Sequence, residues 1–571
     1  MLQRRTPLLA LTAVLAVGIL LGFKVRDVSS STDEAEALRK LQEAFSLISR
    51  SYVERVDSAR LVEDAIEGML AGLDPHSVYI SAREMRDVRE TFDASFEGIG
   101  IYYEFIPGPA DRDTLAVLMP IAGGPSEEAG LLPGDRIVQI DDTTALGFDT
   151  ELVQRYLKGP RGTRVTVSVL RHGYSNPLEF TITRDRIPLE TVVAAYMIDG
   201  QTGYVKLQRF ARTSHTELLE AMRQLRAQGM QRMILDLRGN AGGLLEQAWR
   251  ISDEFLPAGQ MVVYTDSRHA GNNREYFATG GGAFETEPLI VLIDENAASA
   301  SEIVAGALQD HDRALLVGRR TFGKGLVQQQ FGLPDGSVLQ MTVSRYYTPV
   351  GRLIQTPFEL GAGEEEYFEA KQTLRDSLEQ RFLAEGGLVD ADRLGAHLPD
   401  SVKFRTDGGR TVYGGGGILP DYLVPLDTLS PALRTVIGKN LDSEFARTHL
   451  DRLGDRFRTE WAGRREAFMQ SWTVDDATFR AFLAFAEERG VPVVDERPAE
   501  AEDEEEENVL VRAEAAEARD EIATRIKAYV ARRLFGVEAF YPVIAPLDRT
   551  LTEATRLWSA ASDLAAARPR R

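Results

Sequence analysis

The chain contains no cysteine in its 571 residues. That removes disulfides, thiolate nucleophiles and Cys-based metal sites together, and leaves the redox compartment undecided. Cations are in the minority, with 66 Lys and Arg against 87 Asp and Glu and a net charge of −21. Nucleic-acid backbones require clustered Lys and Arg, so no nucleic acid is expected as a partner. An acidic surface instead keeps a chain soluble and unaggregated. No metal-ligand set, cofactor motif or sustained internal repeat is read from the sequence.

What is present is ordinary globular composition, 43% hydrophobic and 27% charged. The length exceeds one core and gives a prior of three or four domains. At the N-terminus Arg4 and Arg5 precede an apolar run, Pro7 to Phe23. At about 1.5 Å per residue it makes a helix of roughly 25 Å, able to span a thin bilayer. No convincing A-x-A site precedes Lys24. Residues 1–24 are therefore expected to be an uncleaved signal anchor with the arginines cytoplasmic, and a removed signal peptide is the alternative. Either exports the chain, to the periplasm or another extracytoplasmic space, and the anchor would hold it to the cytoplasmic membrane.

The expected fold class is multidomain α/β. Residues 33–93 read as a helical module, with Leu38, Leu41, Phe45 and Ile48 on one face and Leu61, Ile66, Met69 and Leu70 on another. "GLDPHSVYI" (Gly72–Ile80) breaks its second helix. Over 95–186 the period changes to two, in short strands separated by Gly and Pro signals, with helices near Ser126–Ala129 and at Thr150–Leu157. Over 190–357 strands alternate with helices, among them "RMILDLR", "LIVLI" (Leu289–Ile293) and a helix at Ser301–Gln309. Residues 358–403 read as a mostly helical insertion, and 404–425 resume the core. Residues 426–571 are again helical, interrupted by a like-charge tether at 501–508.

Within 95–186, "FEGIGI" and "EEAGLLPGDRIVQID" resemble a PDZ domain. The resemblance implies that backbone amides at Gly98, Ile99, Gly100 and Ile101 hold a peptide's terminal carboxylate while the peptide adds as a strand. The plainer reading of those four positions is a strand entered through flexible glycines.

The chemistry concentrates in Asn296–Gln328, "NAASASEIVAGALQDHDRALLVGRRTFGKGLVQ". Ser299 and Glu302 form S-x-x-E, so Ser299 fits a helix cap and Lys324 a solvated turn. The same geometry suits catalysis, because a helix N-terminus offers unpaired amides and positive dipole to an oxyanion. The hydroxyl needs a base, and no histidine stands nearby; His311 lies at the far end of the helix, roughly 15 Å away by helix rise. Lysine serves only when neutral, and its ordinary pKa is about 10.4. Half-neutrality at pH 7 costs about 4.6 kcal/mol against the charged form, which burial can supply. Gly323 and Gly325 allow close packing around Lys324, and Phe322, Leu326 and Val327 give apolar cover. Gln328, four residues on, shares Lys324's face of a strand and can orient its amine.

This stretch, with "DLRGNAGGLL" (Asp236–Leu245), "GLDPHSVYI" and "GGILPDYLVP", resembles the carboxy-terminal processing peptidases, or tail-specific proteases, over roughly residues 35 to 425. The resemblance implies a crotonase-like α/β core with an inserted PDZ domain. Ser299 would be the nucleophile, Lys324 the general base and Gln328 the residue that positions it. Oxyanion donors would be the amides of Gly243 and Ala300. Ser301, about 200° round the helix, is the competing serine, and the resemblance selects Ser299. Ala298 and Ala241 depart from the family, which often has serine and proline there; the second leaves its turn less rigid.

The function expected is a serine endopeptidase that recognises C-terminal tails of unfolded or tagged polypeptides through its PDZ domain. A homodimer through terminal helices is a further expectation. The alternative is a non-catalytic scaffold that binds protein C-termini.

Overall fold

The computed structural model describes residues 33–106, 112–359, 361, 365–369, 371–372, 388–390, 393, 398–497 and 508–567. The apolar run Pro7–Phe23 and the acidic run 501–507 lie outside the described residues, as does most of 358–403. Among the described residues no helix is long and apolar enough to cross a membrane.

The centre is a seven-stranded sheet, in the order Val192–Met197, Thr202–Leu207, Arg232–Asp236, Leu289–Ile293, Leu315–Gly318, Tyr422–Leu423 and Val389–Asp390. From Thr202–Leu207 to Tyr422–Leu423 the neighbours run parallel, and antiparallel pairs close both edges. Leu289–Ile293 is buried at every position, the mark of a strand covered on both faces. Leu289, Val291 and Ile293 pack with helices Ser214–Ala227, Leu245–Asp253 and Ala300–Asp310. Ile290 and Leu292 meet Leu551, Ala554, Trp558 and Ala561 from the last two helices. The C-terminal extension therefore completes the core sheet's second face.

A second, five-stranded antiparallel sheet lies beside the core: Val78–Ile80, Val338–Tyr347, Met261–Asp266 and Arg274–Phe277 in order, with Leu326–Gly332 paired to Val338–Tyr347. The N-terminal module is thus not helical alone, because "VYI" of "GLDPHSVYI" is an edge strand of this sheet. The described part of the insertion includes the helical turn 365–369 and a short strand, Val389–Asp390, drawn onto the sheet edge because Val389 buries against Tyr413, Leu419 and Leu423.

The PDZ sheet has six strands, with Ile101–Ile106 at its edge, and hangs from a two-stranded stem of Ser95–Gly98 and Asp185–Pro188. Its outer face rests on the C-terminal helices, where Arg533 gives Glu104 a bidentate ion pair at 2.7 and 2.9 Å. Helix 33–51 shows the opposite behaviour. On its apolar face Leu38, Leu41 and Ile48 are 57%, 44% and 42% exposed and Phe45 is half-buried, so most of that face is uncovered among the described residues.

Candidate active site

Ser299 stands at the start of helix Ala300–Asp310 with φ +54° and ψ −109°, a conformation sparsely populated by residues with a Cβ. The turn Arg238–Gly243 holds it there. A Cβ on Gly242 would come within 2.9 Å of both Ser299 Cβ and the Ala300 nitrogen, so only glycine permits this approach. The turn is pinned by Asp294, whose Oδ1 accepts from Gly239, Asn296 and Ala297 amides at 2.9, 3.1 and 3.0 Å. Gly243 and Ala300 flank the same approach, and among the described residues neither amide has a backbone acceptor. The competing Ser301 is fully buried, and its hydroxyl donates to the Asn240 carbonyl at 2.8 Å.

Lys324 follows Gly323, which has φ +86° and no room for a Cβ against Thr356. Its Nζ donates to Gln328 Oε1 at 3.0 Å. Loss of solvation lowers its pKa, against the opposing pull of the Asp74 and Glu302 carboxylates. Gln328 is oriented in turn, accepting from Gln340 Nε2 at 3.1 Å and donating to the His76 carbonyl. Among the described residues no hydrogen bond joins Ser299 Oγ to Lys324 Nζ; the backbones are joined instead, since the buried Tyr346 hydroxyl contacts the carbonyls of both Ser299, at 3.1 Å, and Lys324.

Glu302 is the stronger link. Fully buried, its Oε1 accepts from Thr321 Oγ1 at 2.6 Å and Gly323 N at 2.7 Å, and its Oε2 from Ser299 N at 2.8 Å and Lys324 N at 2.9 Å. Burial pushes the carboxyl up to about 7, against four hydrogen bonds that favour the anion. One carboxylate thus fixes the serine and lysine loops relative to each other.

An open cleft of about 530 Å³ lies between the Gly239–Ala241 turn, Ala298 and Lys324. A serine on a helix N-terminus, unpaired amides beside it and a desolvated amine across a cleft make a set suited to acyl transfer.

Known proteins resemble this chain over most of the described fold. The peptidase family S41 model matches residues 201–359, a PDZ domain model 117–171, and an activating protease CtpB N-terminal domain model 23–84. A family of unknown function matches residues 432–536. The carboxy-terminal-processing protease of Bartonella bacilliformis is 37% identical over 322 residues, 56% of this chain and 72% of that protein. The carboxyl-terminal-processing protease of Synechocystis is 40% identical over 311 residues, 53% of this chain and 71% of that protein. This chain belongs to the carboxy-terminal processing proteases.

In this protease the PDZ loop 98–101 joins the stem to the edge strand of the PDZ sheet. Gly100 takes φ +76°, a backbone conformation that strains residues with a Cβ, and packs against Ile187. The buried Ile99 turns its carbonyl to Ser126, which donates from N at 3.0 Å and from Oγ at 2.7 Å. Ile101 opens the edge strand, and Gly98 packs on the end of helix Thr150–Leu157.

Several site residues of the protease escaped the sequence reading. S-x-x-E was read as a helix cap, and the cap is real for the Ser299 amide, but Glu302's other bonds reach the lysine loop 19 to 22 residues away. "GLDPHSVYI" carries the remaining signal. Asp74 accepts from Thr342 Oγ1 at 3.0 Å and Ser77 Oγ at 2.7 Å, which places the His76 carbonyl on Gln328. Burial and the Lys324 charge push the His76 imidazole down to about 4, so it stands neutral in the cleft. His311, by contrast, is a helix-end residue, bonded through Nδ1 to Asp407 at 2.7 Å and through Nε2 to the Met261 carbonyl at 2.6 Å.

Proposed function

We propose that this chain is an exported serine endopeptidase that recognises C-terminal tails of unfolded or tagged polypeptides and cleaves them with Ser299, Lys324 and Gln328. Neutral Lys324 takes the Ser299 Oγ proton as the oxygen attacks the scissile carbonyl. The amides of Gly243 and Ala300 receive the oxyanion, and Lys324 returns the proton to the leaving amine. Water then repeats the sequence on the acyl-enzyme ester. The observation that carries this reading is a desolvated lysine amine, with lowered pKa, bonded to Gln328 across a cleft from the strained Ser299 turn. The test incubates the soluble chain with an unstructured polypeptide, beside Ser299→Ala and Lys324→Ala. Cleavage lost in both variants is expected; cleavage surviving both would remove the dyad, and none by any version would favour the scaffold.

The PDZ domain is proposed to bind tails ending in apolar residues at Gly98, Ile99, Gly100 and Ile101, through strand addition on Ile101–Ile106. Because the Lys324 amine is bonded to Gln328 rather than to Ser299, tail binding is proposed to complete the site. Deleting Phe96–Ile182 should then slow peptide cleavage, and unchanged rates would end the gating idea. The uncovered face at Leu38, Leu41 and Ile48 supports a homodimer, which Leu41→Glu should convert to a monomer in sedimentation. Export, with anchoring by residues 7–23, is checked by fractionating cells that express the full chain.

A further inference from the structure

The cleft beside Lys324 is not built by the protease core alone. Part of its lining, Tyr367 and Phe368, comes from the helical turn 365–369 inside the insertion. Tyr367 is the anchor. It is buried, its ring stands edge-on to His76 at 5.4 Å, and its hydroxyl receives Gln355 Nε2 at 3.4 Å. Gln355 also accepts the amide of Gly325, the residue after Lys324, at 2.8 Å. The turn is therefore tied to the lysine loop.

Phe368 is the working surface. Its ring meets Phe322 at 6.4 Å and Tyr367 at 5.5 Å, both edge-to-face, yet it stays 44% exposed. Across the cleft stand Ala241 and Ala298, whose short side chains leave depth. Lys371 Nζ lies 5.9 Å from the Phe368 ring centroid and leaves the ring partly wet beside a concave floor of small residues, apolar surface that an apolar side chain would dry. Lys324 lies on the same cleft, so an occupant of this space sits next to the reacting bond.

We propose that Phe368, held by Tyr367, is a specificity-determining residue that closes a pocket for a bulky apolar side chain, such as leucine, methionine or phenylalanine, flanking the scissile bond. This rests on the Ser299–Lys324 reading above. Alanine at that substrate position leaves Phe368 wet, and a charged side chain loses hydration against aromatic walls.

The test compares the full chain, Phe368→Ala, Phe368→Leu and Ser299→Ala on matched unstructured peptides. These carry Ala, Leu, Phe, Glu or Lys beside one cleavable bond, with products read by mass spectrometry. Wild type should prefer Leu and Phe over Ala by roughly tenfold or more, the scale of hydrophobic-pocket selection. Phe368→Ala should erase most of that ratio while leaving turnover of the Ala peptide within about twofold, and Phe368→Leu should restore part of it. A merely structural role would slow all peptides alike. An unchanged ratio in Phe368→Ala, or a preference for Glu or Lys, overturns the pocket while the dyad stands. Cleavage by Ser299→Ala at the wild-type rate, or none by wild type, overturns both.

Discussion

Replacing Glu302 by glutamine separates the charge of the bridging carboxylate from its geometry. The anion accepts four hydrogen bonds, two at each oxygen. An amide keeps one oxygen and turns an NH₂ toward the other two donors. If it faces Ser299 and Lys324, two backbone amides lose their acceptor. If it faces Thr321 and Gly323, the Gly323 amide is orphaned, and Thr321 Oγ1 already accepts from Ile418 N at 2.6 Å. At least one buried N–H beside Lys324 is unpaired either way, a loss of about 1–3 kcal/mol. Felt at the transition state, that lowers kcat/KM by about 5- to 150-fold at pH 8. Stability moves the other way with pH. Burial raises the carboxyl from 4.5 to about 7 in the folded chain, so its contribution is full below 4.5 and is lost as pH rises through 7. Glutamine has no such loss, and the difference in unfolding free energy between variant and wild type should move by about 3 kcal/mol in the variant's favour from pH 4.5 to 8. Peptide cleavage and urea unfolding at both pH values measure the two effects. A kcat/KM within twofold of wild type, or a pH-independent stability difference, would refute the bridge.

Three further outcomes follow from neighbouring contacts. Asp74 raises the Lys324 pKa, and the base works only when neutral, so Asp74→Asn should move the acid limb of the pH–rate profile to lower pH; a limb that stays or rises contradicts the assignment. Gly242→Ala puts a Cβ at φ +98° within 2.7 Å of the Ala298 carbonyl, adding strain of about 1–3 kcal/mol beside Ser299, the proposed nucleophile; peptide cleavage should fall while circular dichroism stays native. Asp548→Ala removes Arg238's bonds at 2.9 and 2.6 Å but leaves those to Asp236, and should lower stability in urea by about 1–3 kcal/mol.

How much of this was legible depends on whether the partner of each pattern is local. Leu289–Ile293 reads as a covered strand because five apolar residues in a row need both faces filled, but nothing in that run names Trp558 and Leu551 as the cover. Helix Ala300–Asp310 begins and ends within a residue of its sequence reading, since its cap signal and apolar period lie inside it. The apolar face of helix 33–51 is equally plain in sequence, while amphipathicity is silent on what lies opposite. Gln328 could be placed on Lys324's face by strand periodicity, whereas its hold on the His76 carbonyl spans 252 residues and leaves no local trace. Glu302 fell between the two cases: a complete local explanation concealed a second, distant one.

The backbone pose of Ser299 limits which atom can ever occupy that position. With φ at +54°, a β-branched side chain would crowd its own main chain, so threonine is excluded for conformational reasons although its hydroxyl is chemically equivalent. Cysteine, unbranched and of similar size, fits the same rotamer space. The fold therefore narrows the choice of side chain at the proposed nucleophile before reactivity is consulted, and a shift from oxygen to sulfur is sterically easier here than the addition of one methyl.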